Sequence, residues 1–176
     1  MKKGDLFSVR IITKRLILVP ISLKYKKDIF REFTKEITSL MFPTTPSKIK
    51  ETEEFILDSI KDMKKNEILQ MVILNKRKEF LGCVGLHHID KKNPELGVWL
   101  KKSAYGNSYG KEAIFALKKW ADENIHYDSL LYPVDKDNIA SRKIPESMNG
   151  KIFKKYNQKS KSGKVLHILE YGILRD

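Results

Sequence analysis

The sequence predicts a single α/β (α+β) domain, and three observations carry that expectation. Apolar periodicity switches several times between strand-like alternation and helical spacing within one continuous chain. Between Glu95 and Ala121 a strand-like segment runs into a glycine-bearing turn and then a helix. The 176 residues hold no repeat, low-complexity tract or Gly/Ser linker, and at 41% hydrophobic residues they can bury one core. The domain is expected to span residues 1–176.

Residues 11–19 read as the first strand. Ser22 can then cap a helix in which Ile29, Phe33, Ile37 and Leu40 recur at helical spacing, and residues 41–46 break it. A second helix is expected from about Ser47, with Ile49, Phe55, Ile56, Ile60 and Met63 on one face and Lys48, Glu51, Lys61 and Lys64 off it. Residues 68–74 and 79–89 read as buried-type strands joined through Asn75, Lys76, Arg77 and Lys78 as a hairpin, and residues 95–100 as a third. After Gly106 and Gly110 comes a helix with Ala113, Ala116, Leu117, Trp120 and Ala121 on one face. A short strand at 129–134, a helix starting near Asn138 and closing strands around 152–156 and 165–174 complete the order β, α, α, β, β, β, α, β, α, β, β.

Lys and Arg total 35 against 22 Asp and Glu, a net charge of +13 that attracts anions, whether nucleic acid, ribosome or a phosphorylated cofactor. The lysines are scattered without a long basic tail, a pattern that a solvating surface also gives, so charge alone does not identify the partner. Cys83 is the only cysteine and lies in the apolar run 80–86, which rules out an intrachain disulfide or a multi-cysteine metal site and suits a cytoplasmic protein. Met1, Lys2, Lys3, Gly4 and Asp5 lead into no long apolar stretch, and no window nears the roughly 20 apolar residues that span a bilayer, so no membrane is expected. Paired histidines at metal spacing, a GxxxxGK[ST] sequence and a GxSxG elbow are all missing, so no metal is expected.

Chemistry concentrates where Tyr105, Gly106, Asn107, Ser108, Tyr109, Gly110 and Lys111 precede a helix. Unpaired amides at a helix N-terminus, with about half a unit of positive charge from the helix dipole, suit a diphosphate. Two glycines also suit an ordinary strand-to-helix turn. The wider stretch Glu95, Leu96, Gly97, Val98, Trp99, Leu100 through Tyr109, Gly110, Lys111, Glu112 and Ala113 resembles the coenzyme A-binding motif of the GNAT acetyltransferase superfamily. Asn138, Ile139, Ala140, Ser141, Arg142 and Lys143, then Glu146, Met148, Asn149 and Gly150, resemble its asparagine-to-serine helix. Thr13, Lys14, Arg15, Leu16 and Leu18, and Phe80, Leu81, Gly82, Val84, Gly85 and Leu86, resemble two of its core strands. Within the superfamily the likeness leans to the Rim-type ribosomal-protein N-terminal acetyltransferases.

The resemblance implies a mixed, mainly antiparallel sheet with flanking helices and a splayed strand pair, around Trp99 and Tyr132, that admits acetyl-CoA. It implies that backbone groups near Val98 and Leu100 meet the thioester arm, that the loop from Tyr105 to Lys111 takes the diphosphate, and that Asn138 bonds the arm. Ser141 would protonate the departing thiolate. Asn138 and Ser141 also suit helix capping. The chain departs from the family at Tyr105, where Arg or Gln is usual, at Ser108, where Gly is usual, and at Pro145, which should shorten or kink the last helix.

An α-amine, with a pKa near 8, is appreciably neutral at pH 7, whereas a lysine near 10.4 is neutral in about one molecule per thousand. Glu95 is the leading base candidate, sharing its strand face with Gly97 and Trp99, though a strand-end carboxylate also fits. At most one of His87 and His88 can face the cleft. The expected activity is direct acetyl transfer to a primary amine, first a protein N-terminal α-amine such as that of a ribosomal protein. An amino-sugar antibiotic, a polyamine, an amino acid or another small amine stands as the alternative acceptor, in a pocket walled by residues 40–46. The reading from another class is a basic nucleic-acid or ribosome-binding module, carried by the charge and by Tyr105, Tyr109 and Phe153 as stacking groups. The expected enzyme binds no specific nucleic acid and is a monomer or homodimer.

Overall fold

The computed structural model describes residues 5–175; the reading of Met1, Lys2, Lys3 and Gly4 lies outside them. Its strands are β1 (Ile11–Ile12), β2 (Leu16–Pro20), β3 (Ile68–Asn75), β4 (Phe80–His87), β5 (Glu95–Leu100), β6 (Ser129–Asp135), β7 (Lys151–Lys159) and β8 (Val165–Leu174). The helices are α1 (Lys26–Glu32), α2 (Lys35–Thr38), α3 (Ile49–Lys64), α4 (Tyr109–Asn124) and α5 (Ile139–Glu146). The strands form one eight-stranded sheet in the order β1-β2-β3-β4-β5-β6-β8-β7. Every neighbouring pair is antiparallel except β5 and β6. The mixed, mainly antiparallel sheet with flanking helices is therefore as expected.

Residues 69–74 of β3 and 80–86 of β4 are all buried, because helices cover both faces of the sheet there. On one face Phe33, which ends α1, packs its ring 4.7 Å from that of Trp99, with Phe80 5.8 Å away on the same indole. On the other, α4 buries Ala113, Ile114, Leu117 and Ala121 completely, and its N-terminal Gly110 lies against Val98, Leu100 and Ile144. A strand with Trp99 on one side and Val98 on the other is thus anchored from both faces.

Three expectations need correction. Residues 11–19 are a hairpin of two strands, because the Thr13 hydroxyl accepts from Leu16 N–H at 2.8 Å and the Thr13 N–H reaches the Leu16 carbonyl at 3.0 Å. The polar residues Thr13, Lys14 and Arg15, set between two apolar runs, mark this turn. The helix expected from Ser22 to Leu40 is a 3-10 turn at Leu23–Tyr25 followed by α1 and α2, and Ser22 makes no side-chain cap bond. The chain leaves the helix at Phe33, whose ring packs tilted at 52° against Trp99, and Thr34 is extended. In α3 the buried face is Thr52, Ile56, Ser59 and Met63, while Ile49 and Phe55 are 38% and 43% exposed. Ser59 can be buried because its hydroxyl donates to the Phe55 carbonyl at 2.8 Å, a satisfaction that an apolar count does not see.

Other expectations are met. Glu51 accepts the Ser47 backbone N–H at 3.2 Å and the Ser47 hydroxyl, fixing the entry to α3, and these two bonds lead the causes that hold its carboxyl below the usual range. α5 is eight residues long, with Pro145 in its last turn and the N–H of Gly150 closing on the Pro145 carbonyl at 2.9 Å. The two edges of the sheet differ. β1 has two residues, whereas β7 has nine and leaves Lys151, Lys154, Lys155 and Lys159 exposed.

Two stability effects follow from these positions. Ile56→Ala should cost about 2–5 kcal/mol in urea unfolding and Phe55→Ala no more than about 0.5 kcal/mol; equal costs would contradict the buried face. Ser108 heads α4 at φ 58 and ψ 19, a left-handed conformation, without a side-chain cap bond. Ser108→Gly should therefore stabilise the fold by about 1 kcal/mol, read as a rise of about 2–4 °C in Tm.

Candidate active site

β5 and β6 run parallel but are paired only at Glu95 and Leu131, and beyond that point they diverge. From Leu96 onward the β6 side of β5 has no strand partner, so the expected splayed pair is present. A cleft of about 860 Å³ passes through the gap. Alternation divides its walls: Val98, Leu100 and Tyr132 face α4 and α5, whereas Glu95, Gly97 and Trp99 face the opposite side. The β8 and β7 registers bring Ile168 beside Tyr156 and Leu166 beside Gln158, and all four line the second side.

On the helix side, Tyr105, Gly106, Ser108, Tyr109, Gly110 and Lys111 all line the cleft. Gly106 turns the chain at φ 77, where a side chain would be strained, and an added Cβ there would meet nothing within 4 Å. The first helical bond of α4 runs from Glu112 N–H to the Ser108 carbonyl at 3.1 Å, so the amides of Tyr109, Gly110 and Lys111 precede the bonded ladder. Those donors, an open cradle at Gly106 and the flanking Lys111 and Lys143 fit a phosphorylated cosubstrate. Asn107 does not line the cleft. Its amide donates to the carbonyls of Ala104 at 3.3 Å and Tyr105 at 3.0 Å and clips the turn instead.

Asn138 and Ser141 both line the cleft beside β6. The capping reading of Asn138 holds, since its side-chain oxygen accepts the Ser141 N–H at 3.2 Å. Ser141 has a further partner that the sequence did not disclose. Its hydroxyl lies 2.9 Å from that of Tyr132, which is buried and pushed up to about 12 by burial, against the opposing pull of the Ser141 bond. Tyr132 therefore stays protonated at neutral pH. The two residues sit on different elements, and no spacing rule couples them.

On the opposite side, burial raises the Glu95 carboxyl above its ordinary 4.5; nearby His88 opposes the shift and Glu170 adds to it. His87 faces Glu95 across the ladder but does not line the cleft, and burial, with His88 next to it, pushes its imidazole down to about 4. It is neutral at pH 7. His88, the exposed neighbour at φ 56, lies outside the cleft as well. Tyr156 donates to Glu170 at 3.3 Å and is raised to about 12, by burial first and then by that carboxylate. Tyr156 and Gln158 escaped the sequence reading because they lie in a lysine-rich segment without an apolar face.

Of the wall expected from residues 40–46, Leu40, Met41, Phe42 and Pro43 line the cleft. This wall is tied to the β7–β8 turn, since Lys161 N–H donates to the Phe42 carbonyl at 3.0 Å and Lys164 Nζ to that of Ser39 at 2.9 Å. Cys83 is buried away from the cleft, and burial raises its thiol far above neutral pH. No group of three metal-ligating side chains occurs among the described residues, nor any helix there long and apolar enough to cross a membrane.

The chain matches the acetyltransferase (GNAT) domain family over residues 15–151, well over half its length. No curated protein sequence matches it significantly. Among solved structures it is similar to the ribosomal L7/L12 alpha-N-protein acetyltransferase RimL in complex with coenzyme A, with TM-score 0.84, 16% identity and 96% and 99% of the two chains covered. It is also similar to spermidine N-acetyltransferase from Vibrio cholerae in complex with CoA and spermine, with TM-score 0.80, 15% identity and 93% and 97% covered. A third is the microcin C7 self-immunity acetyltransferase in complex with acetyl-CoA and AMP, with TM-score 0.80, 19% identity and 92% and 93% covered. With a divided sheet, open helix amides at the end of β5 and this family match, the chain belongs to the GNAT acetyltransferases and is an N-acetyltransferase that takes acetyl-CoA as its cosubstrate.

Proposed function

We propose that residues 1–176 form one cytoplasmic acetyltransferase domain, monomeric or homodimeric, whose acceptor is a protein N-terminal α-amine, with a ribosomal protein as first candidate. The observation that carries this reading is one cleft joining the loop amides, Ser141 and Glu95 across the gap between β5 and β6. The similarity to an alpha-N-protein acetyltransferase supports the acceptor class. So does the chemistry, because an α-amine near pKa 8 needs less help to lose its proton than a lysine near 10.4. A spermidine acetyltransferase of comparable fold makes a small polyamine the acceptor to test beside it.

In this reading the diphosphate rests on the amides from Tyr109 to Lys111, with Tyr105, Gly106, Asn107 and Ser108 shaping the turn. The arm passes Val98, Trp99 and Leu100 toward Asn138. Glu95 takes the amine proton, directly or through one water, as nitrogen bonds to the thioester carbonyl carbon. The carbon–sulfur bond then breaks, and Ser141 gives its proton to the sulfur while regaining one, through water, from the protonated Glu95. A hydroxyl bond from Tyr132 would leave the Ser141 proton free to point at the sulfur.

Mass spectrometry of reactions with acetyl-CoA and either N-terminal peptides, spermidine or an aminoglycoside tests the acceptor; transfer confined to the small amines would overturn it. Gly110→Asp should abolish acetyl-CoA binding in calorimetry by directing a carboxylate at Val98, Leu100 and Ile144 on the cleft wall beside the loop amides, whereas Gly110→Ala should keep it, since a Cβ there meets side chains no nearer than 3.6 Å. Ser141→Ala and Glu95→Gln should each lower kcat by about 10² to 10⁴ with acetyl-CoA affinity retained. Tyr132→Phe should lower it less.

The Glu95 carboxyl is raised, so its base form is present above that pKa and is lost as pH falls through it. The acidic limb of kcat/KM should thus lie above the 4.5 of an ordinary glutamate and vanish in Glu95→Gln. Parental kcat in Glu95→Gln across pH 6 to 9 would remove that role.

A further inference from the structure

Two marked segments have no role in the transfer chemistry, the turn Thr13, Lys14, Arg15 and the α4 residue Glu112. They are 97 residues apart at Arg15 and meet in the fold. One Glu112 carboxylate oxygen accepts the Thr13 hydroxyl at 2.5 Å and the Arg15 backbone N–H at 3.0 Å. The other accepts Arg15 Nε at 2.6 Å and lies 2.6 Å from the terminal guanidinium nitrogen. Four donors thus satisfy a carboxylate that has about four acceptor sites. The Arg15 guanidinium also lies over the ring of Tyr109, the first residue of α4, at 4.8 Å from its centroid. Glu112 is kept ionised: burial opposes its charge, but the bonds from Thr13 and Arg15 outweigh burial and hold its carboxyl below the usual range.

A carboxylate in the first turn of a helix stabilises that helix but repels an anion arriving at the same N-terminus. Glu112 is one residue beyond Lys111, the last of the open amides. We propose that Arg15 is a positioning residue for coenzyme A: it cancels the Glu112 charge beside the diphosphate and locks the first turn of α4 to the β1–β2 hairpin. The inference rests on the placement of the diphosphate at that turn. It gives the Thr-x-Arg turn a task in cosubstrate binding although Arg15 does not line the cleft.

Calorimetric titration with coenzyme A tests it in four variants. Arg15→Met should weaken binding roughly tenfold by freeing the carboxylate, and KM for acetyl-CoA should rise in step while kcat and the amine KM stay within about twofold. Added salt should narrow the gap to the parent. Arg15→Met/Glu112→Gln should recover most of the lost affinity, because the unpaired charge is gone; a purely structural clamp would leave the double variant no better than the single. Glu112→Gln alone should bind at least as tightly as the parent even if its Tm falls, which keeps the test open should Arg15→Met fail to fold. Parental affinity in Arg15→Met, no recovery in the double variant, or weakened binding by Glu112→Gln would each overturn the proposal. The fourth variant, Gly110→Asp, separates the two levels. If it abolishes binding at a parental Tm while Arg15→Met binds normally, the placement stands and the role of Arg15 falls; if it binds normally, the placement itself is wrong.

Discussion

The fold turns on the incomplete pairing of β5 with β6. Parallel neighbours require a crossover, here α4, and the two strands touch at a single register position before separating. Backbone groups on the inner edges then have no strand to satisfy them, a costly state inside a protein unless water or a ligand supplies the partners. The opening of the sheet is therefore an invitation to a long polar chain. The helix that closes the crossover begins at the end of β5, and the helix after β6 begins beside the same gap, so both termini meet whatever enters it.

Electrostatics divides the cleft as the sheet does. The helix side offers amide donors and lysines, and its phenol, Tyr132, is held protonated. The opposite side holds a carboxyl raised by burial, with Tyr156 and Glu170 behind it. Donors suited to anions thus stand across the strand gap from a carboxyl raised by burial. Trp99, fixed between Phe33 and Phe80, keeps that second wall from shifting.

Much of this was legible in the sequence where backbone and pattern agree. β5 has the bounds its pattern predicts, the glycine turn and α4 follow it, and α5 is short, with Pro145 in its last turn, as the missing donor requires. Less was legible where side chains at distant positions decide. Phe33 leaves a helical pattern to meet an indole 66 residues on, whereas the Thr13 turn is marked locally by Thr13, Lys14 and Arg15 between two apolar runs. Thr52 and Ser59 occupy a buried face without being apolar. Tyr132 with Ser141, Tyr156 with Glu170 and Arg15 with Glu112 are partnerships of the tertiary fold, and no local period announces them.

The last strand has a further meaning. β7 is the long outer strand of the sheet, and a free strand edge is a template on which other chains can add. Four exposed lysines along it make such stacking electrostatically unfavourable, while β1 at the far edge is too short to serve as a template. An enzyme whose chemistry neutralises amines thus keeps charged amines of its own along the one strand edge long enough to template the addition of another strand.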